Sequence, residues 1–188
     1  MKRIPIVPTL IVLIAVGVMI RLGFWQLERL SEKEAMLARY EAAQVSGSEV
    51  RWPESSAATE RALYHRSRLD CRAARVPTTV SGRNAKGEAG LAHVATCADV
   101  EGGERQVVLG WSRDPASRPW TGGMVTGWIA PGPRLVADPP VGGLEANARP
   151  DPRDIPNNHL AYAVQWFLFA GVALVIYALA LRKRMREG

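Results

Sequence analysis

The chain has 188 residues and a formal charge of +6, from 24 lysines and arginines against 18 acidic residues. The excess charge lies at the two ends. Residues 1–21 carry three basic residues, residues 182–188 carry four and a single acid, and the remainder is neutral. A basic chain often binds nucleic acid, but these charges flank two long apolar runs and therefore indicate membrane topology. The same runs exclude an ordinary soluble domain, and we expect no nucleic-acid partner.

Two uncharged runs are long enough to cross a lipid bilayer. Ile4–Ile20 spans about 26 Å as a helix and Leu160–Leu181 about 33 Å. Lys2 and Arg3 precede the first run, and Arg182–Arg186 follow the second. The positive-inside rule therefore predicts a multi-pass membrane protein with both termini in the cytoplasm and the central domain on the far side. No Arg/Ser-rich transit peptide precedes the first run, so we expect the bacterial inner membrane, with the central domain in the periplasm. No convincing cleavage motif follows the first run, so we interpret it as an uncleaved anchor.

The first helix is predicted to continue beyond the bilayer. Apolar residues recur at three- and four-residue steps over Gly23–Ala43, and Ser46-Gly47-Ser48 is a stop signal. The fold class is thus a membrane protein of α+β type, in which two transmembrane helices flank a small antiparallel β domain. The predicted segments are an N-terminal transmembrane helix (1–22), a juxtamembrane helix (23–43), a periplasmic β domain (44–158), a C-terminal transmembrane helix (159–182) and a basic cytoplasmic tail (183–188).

Short apolar stretches separated by turn residues predict the strands of the central domain. Turn signals lie at Asn84–Gly87 and at Glu101-Gly102-Gly103. Nine of the 13 prolines fall between Pro115 and Pro156, which excludes one long helix there. These features predict a small antiparallel sheet or a partly closed barrel. The predicted strands lie within residues 62–76, 91–100, 105–113, 122–130 and 134–140.

The two cysteines favour a disulfide. Cys71 and Cys97 fall in two predicted strands that are neighbours in sequence, and the periplasm is oxidising. A rival interpretation adds His65 and His93 to form a metal site. On extended strands, however, His65 lies about 20 Å from Cys71 and His93 about 13 Å from Cys97, which one tetrahedral ion cannot bridge without sharp bends. Hydrolase and nucleotide-binding motifs are absent, so we do not expect an enzyme.

Two longer motifs resemble the surfeit locus protein 1 family. "LGFWQLERLSEK" at Leu22–Lys33 has the form L-G-x-W-Q-L-x-R-x-x-x-K, and "PNNHLAYAVQWFLFA" occupies Pro156–Ala170. Each motif lies at one predicted transmembrane helix. "LGWSRDPASR" at Leu109–Arg118 and "VTGWIAPG" at Val125–Gly132 resemble the β core of the same family.

The resemblance implies an assembly factor, or chaperone, of cytochrome c oxidase in the respiratory chain. Members of the family have two transmembrane helices and a β domain, and they assist the insertion of haem a into the catalytic subunit. The implied partners are the oxidase subunits, including oxidase held within a respiratory supercomplex, together with haem a synthase and the lipid bilayer. The chain is short for the family, and the Cys71/Cys97 pair is not a family feature. The alternative is therefore an accessory subunit, retained on the assembled oxidase, that binds no cofactor.

The resemblance makes His159 the candidate ligand of haem a iron. On a helix, Tyr162 and Trp166 share the face of His159 and could contact a flat apolar macrocycle. The residues alone also allow a structural interpretation, in which Asn157 or Asn158 caps the helix and the aromatic residues form an interfacial belt. The sequence leaves both interpretations open.

Overall fold

The computed structural model describes residues 5–98, 103–116 and 119–186, which form two compact units. The helical unit comprises the described residues up to Met36 and from Ile155, and the sheet unit comprises Leu37–Asp154. Several positions named above lie outside the described residues. They are Lys2 and Arg3 of the basic flank, Ile4 of the first run, the end of the second strand stretch at residues 99–100, Glu101 and Gly102 of the turn signal, and Arg118 of the third motif.

Two long helices supply the helical unit. Helix α1 runs from Ile6 to Ser46 and helix α3 from His159 to Arg186. Both are long and apolar enough to cross a membrane, and most of their large apolar side chains are exposed. With 41 residues, α1 is about 60 Å long, roughly twice a hydrocarbon core. It continues without a break from the helical unit into the sheet unit and ends within the predicted stop signal.

The described part of the sheet unit contains seven strands and two short helices. Each of the five predicted stretches contains at least one strand, and the first contains two. The strand over residues 78–83 and the short helix over residues 56–62 were not predicted. The elements are α2 (Ser56–Ala62), β1 (Arg66–Cys71), β2 (Ala73–Ala74), β3 (Thr78–Arg83), β4 (Ala89–Ala98), β5 (Glu104–Ser112), β6 (Gly123–Ala130), β7 (Arg134–Ala137) and a 3-10 helix (Pro152–Asp154).

The strands form a partly closed barrel. The hydrogen-bonded order is β1-β6-β7-β5-β4-β2, and β3 pairs with the outer part of β4. Only Arg72 separates β1 from β2, so one continuous stretch of chain forms both ends of the strand order. It pairs with β6 at one end and with β4 at the other. The expected antiparallel pairing holds except between β5 and β7, which are parallel among the described strands. This exception corrects the prediction of a wholly antiparallel sheet; it arises because β6 returns the chain between them.

The core of the sheet unit lies on the concave face of the barrel. In β1, the burial alternates so that Ser67, Leu69 and Cys71 point inward. Cys71 and Cys97 are 2% and 0% exposed and are joined in a disulfide with a Cα–Cα distance of 5.5 Å. The pairing is the one that the sequence predicted, and the predicted stretch that contains Cys71 does lie beside β4, although only through β2. Strand β1 pairs with β6, and the continuation of β1 into β2 is what brings Cys71 to β4.

Candidate functional site

Helices α1 and α3 meet along a seam that includes Gly23 and Gln26 of α1 and His159 and Phe167 of α3. The seam thus brings together the two longer motifs of the sequence. At this seam the Nδ1–H of His159 donates a hydrogen bond to Oε1 of Gln26, with a distance of 2.7 Å. Gln26 is the glutamine of the L-G-x-W-Q-L motif, and both side chains are half-buried. The side chain of His159, at the start of α3, is therefore hydrogen-bonded to α1.

A close aromatic contact lies next to this hydrogen bond. Gly23 is buried, and a Cβ atom built on it would lie 2.6 Å from Cε1 of Phe167. Phe167 also packs edge-on against Phe24, with ring centroids 5.4 Å apart. The glycine of the motif therefore makes room for a ring of α3, and the small residues Ala163 and Ala170 are buried on the same side of α3. Small residues of this kind let two membrane helices approach closely.

The structure divides the predicted aromatic face of α3 between two environments. His159 and Tyr177 lie on the seam, where Tyr177 forms a hydrogen bond with Thr9 of α1. Tyr162 is 50% exposed, and Trp166 is half-buried and packs edge-on against Phe169. Tyr162 therefore lies on an exposed part of α3 one turn from His159, whereas Trp166 is partly covered.

The asparagines before α3 do not cap it with their side chains. The N–H of Tyr162 bonds to the backbone oxygen of Asn158, as in a regular first turn. Oδ1 of Asn157 is shielded from solvent and has no hydrogen-bond partner among the described residues. A buried acceptor without a partner costs free energy, so this end of α3 is not explained as a simple capped terminus.

The hydrogen bond to Gln26 determines which nitrogen of a neutral His159 ring keeps its lone pair. An amide oxygen can only accept a hydrogen bond, so Nδ1 must carry the proton and Nε2 of the neutral ring keeps its lone pair. Histidines that bind metals usually donate their other ring N–H to a carbonyl or carboxylate in this way. Sequence reasoning missed Gln26, although it lies inside the quoted motif, because the motif does not say which side chain faces α3.

The other two histidines have structural roles. His93 is fully buried, and its Nε2–H donates to Oγ of Ser112 at 2.8 Å, because the Ser112 hydroxyl itself donates to the backbone oxygen of Asp114. Nδ1 of His65 donates to the backbone oxygen of Leu63 at 3.3 Å. With the cysteines joined to each other, the rival Cys/His metal site does not form. The described residues contain no group of three or more His, Cys, Asp or Glu side chains that could hold a metal ion.

The motifs at Leu109–Arg118 and Val125–Gly132 each contain a Gly-Trp pair, and packing explains the pair in the second of these Gly-Trp motifs. A Cβ atom on Gly127 would lie 2.0 Å from the backbone oxygen of Val136, so only glycine permits the approach of β7. Trp128 is 4% exposed, and its indole N–H donates to the carboxylate of Asp138 at 2.9 Å. The guanidinium groups of Arg66 and Arg149 lie 5.2 and 4.4 Å from the indole ring. This motif therefore stabilises the sheet unit.

Two buried tyrosines lie in the sheet unit where the end of α1 meets the chain before β1. Tyr40 and Tyr64 are 7% and 1% exposed, and their ring centroids are 4.8 Å apart. Burial raises the pKa of both phenols, and the nearby carboxylate of Glu60 raises the pKa of Tyr40 further. Tyr64 has a positive φ of 64°, a conformation that a bulky residue adopts only when its surroundings enforce it. A cavity of about 630 Å³ opens beside Tyr40, lined also by Glu60 and His65.

These features define a class of protein: an α+β membrane protein with a mixed, partly closed barrel and a histidine held between two apolar helices. The SURF1 family model matches residues 13–148, which is more than half of the chain, so the protein belongs to the SURF1 family. This family is associated with the assembly of cytochrome c oxidase. The matched range includes Gln26 and both Gly-Trp motifs, whereas His159 lies beyond its end. A search of the curated proteins gives no match.

Proposed function

We propose that this protein assists cytochrome c oxidase assembly by holding haem a at His159 before its insertion into the catalytic subunit. The observation that carries the proposal is the hydrogen bond between Nδ1 of His159 and Oε1 of Gln26. In a neutral imidazole it makes Nε2 the nitrogen with the lone pair, the form in which imidazole ligates haem iron. It also connects the residue to a motif inside the range that matches the family.

The neighbouring residues fit a large, flat and mostly apolar group. Tyr162 is half-exposed beside His159, and Trp166 adds an indole one turn further along α3. The rings of tyrosine and tryptophan offer apolar surface, and these residues are enriched where a membrane helix meets the interface, so that their polar atoms can find partners. Haem a, when bound, would supply the redox-active iron that the oxidase needs. The residues of this chain would supply one ligand, an apolar wall and a fixed orientation.

The proposed location follows from the charge distribution. Both termini lie in the cytoplasm, the sheet unit lies in the periplasm, and the two apolar helices cross the bacterial inner membrane. In this arrangement His159 starts α3 at the periplasmic interface. The partners would be the oxidase subunits that receive haem a, haem a synthase that produces it, and the lipid bilayer around the helices.

The test replaces His159 by alanine in cells that lack the native protein. Alanine removes the ligand and preserves the helix, since it has the highest helix propensity. We expect normal amounts of protein in the membrane but less haem a per oxidase. His65→Ala is the matched control, because His65 is bonded only to a backbone oxygen of the sheet unit. Normal haem a content in the His159→Ala strain would contradict the proposal.

The structure also offers support for a second candidate, the accessory subunit without a cofactor. Among the described strands, β3 pairs only with β4, and its other edge is open except at Arg83, whose backbone oxygen accepts a hydrogen bond from the N–H of Ala148. The strand is largely exposed, and Val80 on it is 45% exposed. An open edge can pair with a strand of another protein. Stoichiometric co-purification with mature oxidase, with unchanged haem a content after His159→Ala, would favour this candidate.

A further inference from the structure

We propose that Gln26 is a positioning residue, which fixes the tautomer of His159 so that Nε2 is the atom presented to haem. The expected effect on haem affinity rests on the proposed haem-binding function, whereas the expected tautomer of His159 rests only on its hydrogen bond to Gln26. It assigns a role to a residue of α1 that lies on a different helix from the ligand.

With Oε1 of Gln26 as the facing atom, the hydrogen bond favours one tautomer of His159. The Oε1 atom of Gln26 is an acceptor, and Nδ1 of His159 lies 2.7 Å from it. A neutral imidazole has one N–H and one lone pair, so a proton on Nε2 would set two lone pairs against each other across the seam. One net hydrogen bond in a half-buried site favours the Nδ1–H tautomer by about tenfold.

The helix packing keeps Gln26 in place. Gly23 lies three residues earlier on the same side of α1, where it contacts Phe167 of α3. Trp25, the preceding residue of the motif, is in a different environment. Trp25 is 39% exposed, and the guanidinium of Arg29 lies 5.7 Å from its ring. Gln26 is therefore the polar residue of the W-Q-L tripeptide that faces α3, and its position is fixed by contacts one turn away.

The experiment compares Gln26→Leu with Gln26→Glu in the full-length protein in detergent at pH 8. Leucine has a similar length but no acceptor, whereas glutamate keeps an acceptor oxygen. Gln165→Leu is the matched control, because Gln165 lies on an exposed face of α3. Two quantities are measured: the ¹⁵N chemical shifts of the His159 ring without haem, and the dissociation constant for added haem a from the Soret absorbance.

In the native protein we expect the proton on Nδ1. Gln26→Leu should give a mixture of tautomers and weaken haem a binding by about 10- to 100-fold, the usual effect of losing the partner of a metal-binding histidine. Gln26→Glu and Gln165→Leu should keep the native tautomer and bind haem a within about threefold of the native protein.

The outcomes separate this inference from the proposed function. If His159→Ala leaves haem a affinity unchanged, the ligand role fails, while the ring shifts still report whether Gln26 sets the tautomer. If His159→Ala abolishes binding but Gln26→Leu changes neither tautomer nor affinity, the positioning role fails. A change of tautomer with native affinity also overturns it. Should Gln26→Leu not fold, a proton on Nε2 in the native protein would by itself overturn the inference.

Discussion

Replacing Gly23 by alanine tests the contact between α1 and α3 most sharply. The added Cβ would lie 2.6, 2.7 and 3.0 Å from three carbons of the Phe167 ring. These separations are far below an ordinary carbon–carbon contact, so the ring must move. The Phe167 ring has little room to move because it already packs edge-on against Phe24. Overpacking of this kind costs about 1–3 kcal/mol.

Gly17 of the same helix provides the matched control. Apart from its own residue, its chain neighbours and the adjacent helix backbone, a Cβ built at Gly17 has no heavy atom within 4 Å. Both substitutions gain about 1 kcal/mol from the better helix propensity of alanine, so the difference between them isolates the contact with Phe167. We expect Gly17→Ala to be neutral or stabilising, and Gly23→Ala to be about 1–3 kcal/mol less stable than Gly17→Ala.

The assay is unfolding of the purified protein in mixed micelles with increasing sodium dodecyl sulfate, followed by tryptophan fluorescence. The same pair is then compared in a Phe167→Ala background. There the ring is absent, and the difference between the two alanine variants should shrink to within about 0.5 kcal/mol. Equal stability of Gly23→Ala and Gly17→Ala in the native background would refute the close packing of this seam.

Three further predictions address the remaining features. Reduction should raise the intact mass by two hydrogens and lower stability by about 3–4 kcal/mol for a 26-residue separation; free alkylation of Cys71 and Cys97 without reductant would contradict the disulfide. A reporter or a labelled cysteine at Gly47 should lie on the opposite side of the membrane from one at the C-terminus, and the same side for both would refute the topology. The raised pKa values of Tyr40 and Tyr64 mean that the native state keeps protons that the unfolded state releases, so stability is retained below about pH 10 and falls as the pH rises further. Urea titrations at pH 8 and 10.5 should show this loss, and Tyr64→Phe should reduce it; an unchanged loss would show that other groups cause it.

The sequence predicted the elements whose signals are local. The two apolar helices, the end of α1 at Ser46 and the positions of five strands follow from periodicity, length and turn residues. Helix α2 was missed although a signal was present, since Ser55 caps it by accepting a hydrogen bond from the N–H of Ala58. Strand β3 was missed because it is an exposed edge strand, and its alternation of apolar and polar residues is weak.

The features that depend on distant contacts could not be predicted. The parallel pairing of β5 with β7 joins segments separated by β6, and no local pattern encodes it. The candidate site shows the same limit. His159 was identified from its motif, but its partner Gln26 is 133 residues away, and the choice between the seam and the exposed face of α3 depends on packing with α1. Tyr162 was therefore grouped with His159 by helical periodicity, although it is exposed.

The central claim is that His159 binds haem a, and the absorption spectrum of the purified protein tests it most directly. The native protein and His159→Ala are purified in parallel from cells that make haem a, and haem is quantified per protein from the Soret band. We predict a Soret band in the native protein and its loss in the variant, with equal yields of membrane-inserted protein. Equal haem content in the two proteins, or no haem in the native protein even after haem a is added, would contradict the claim.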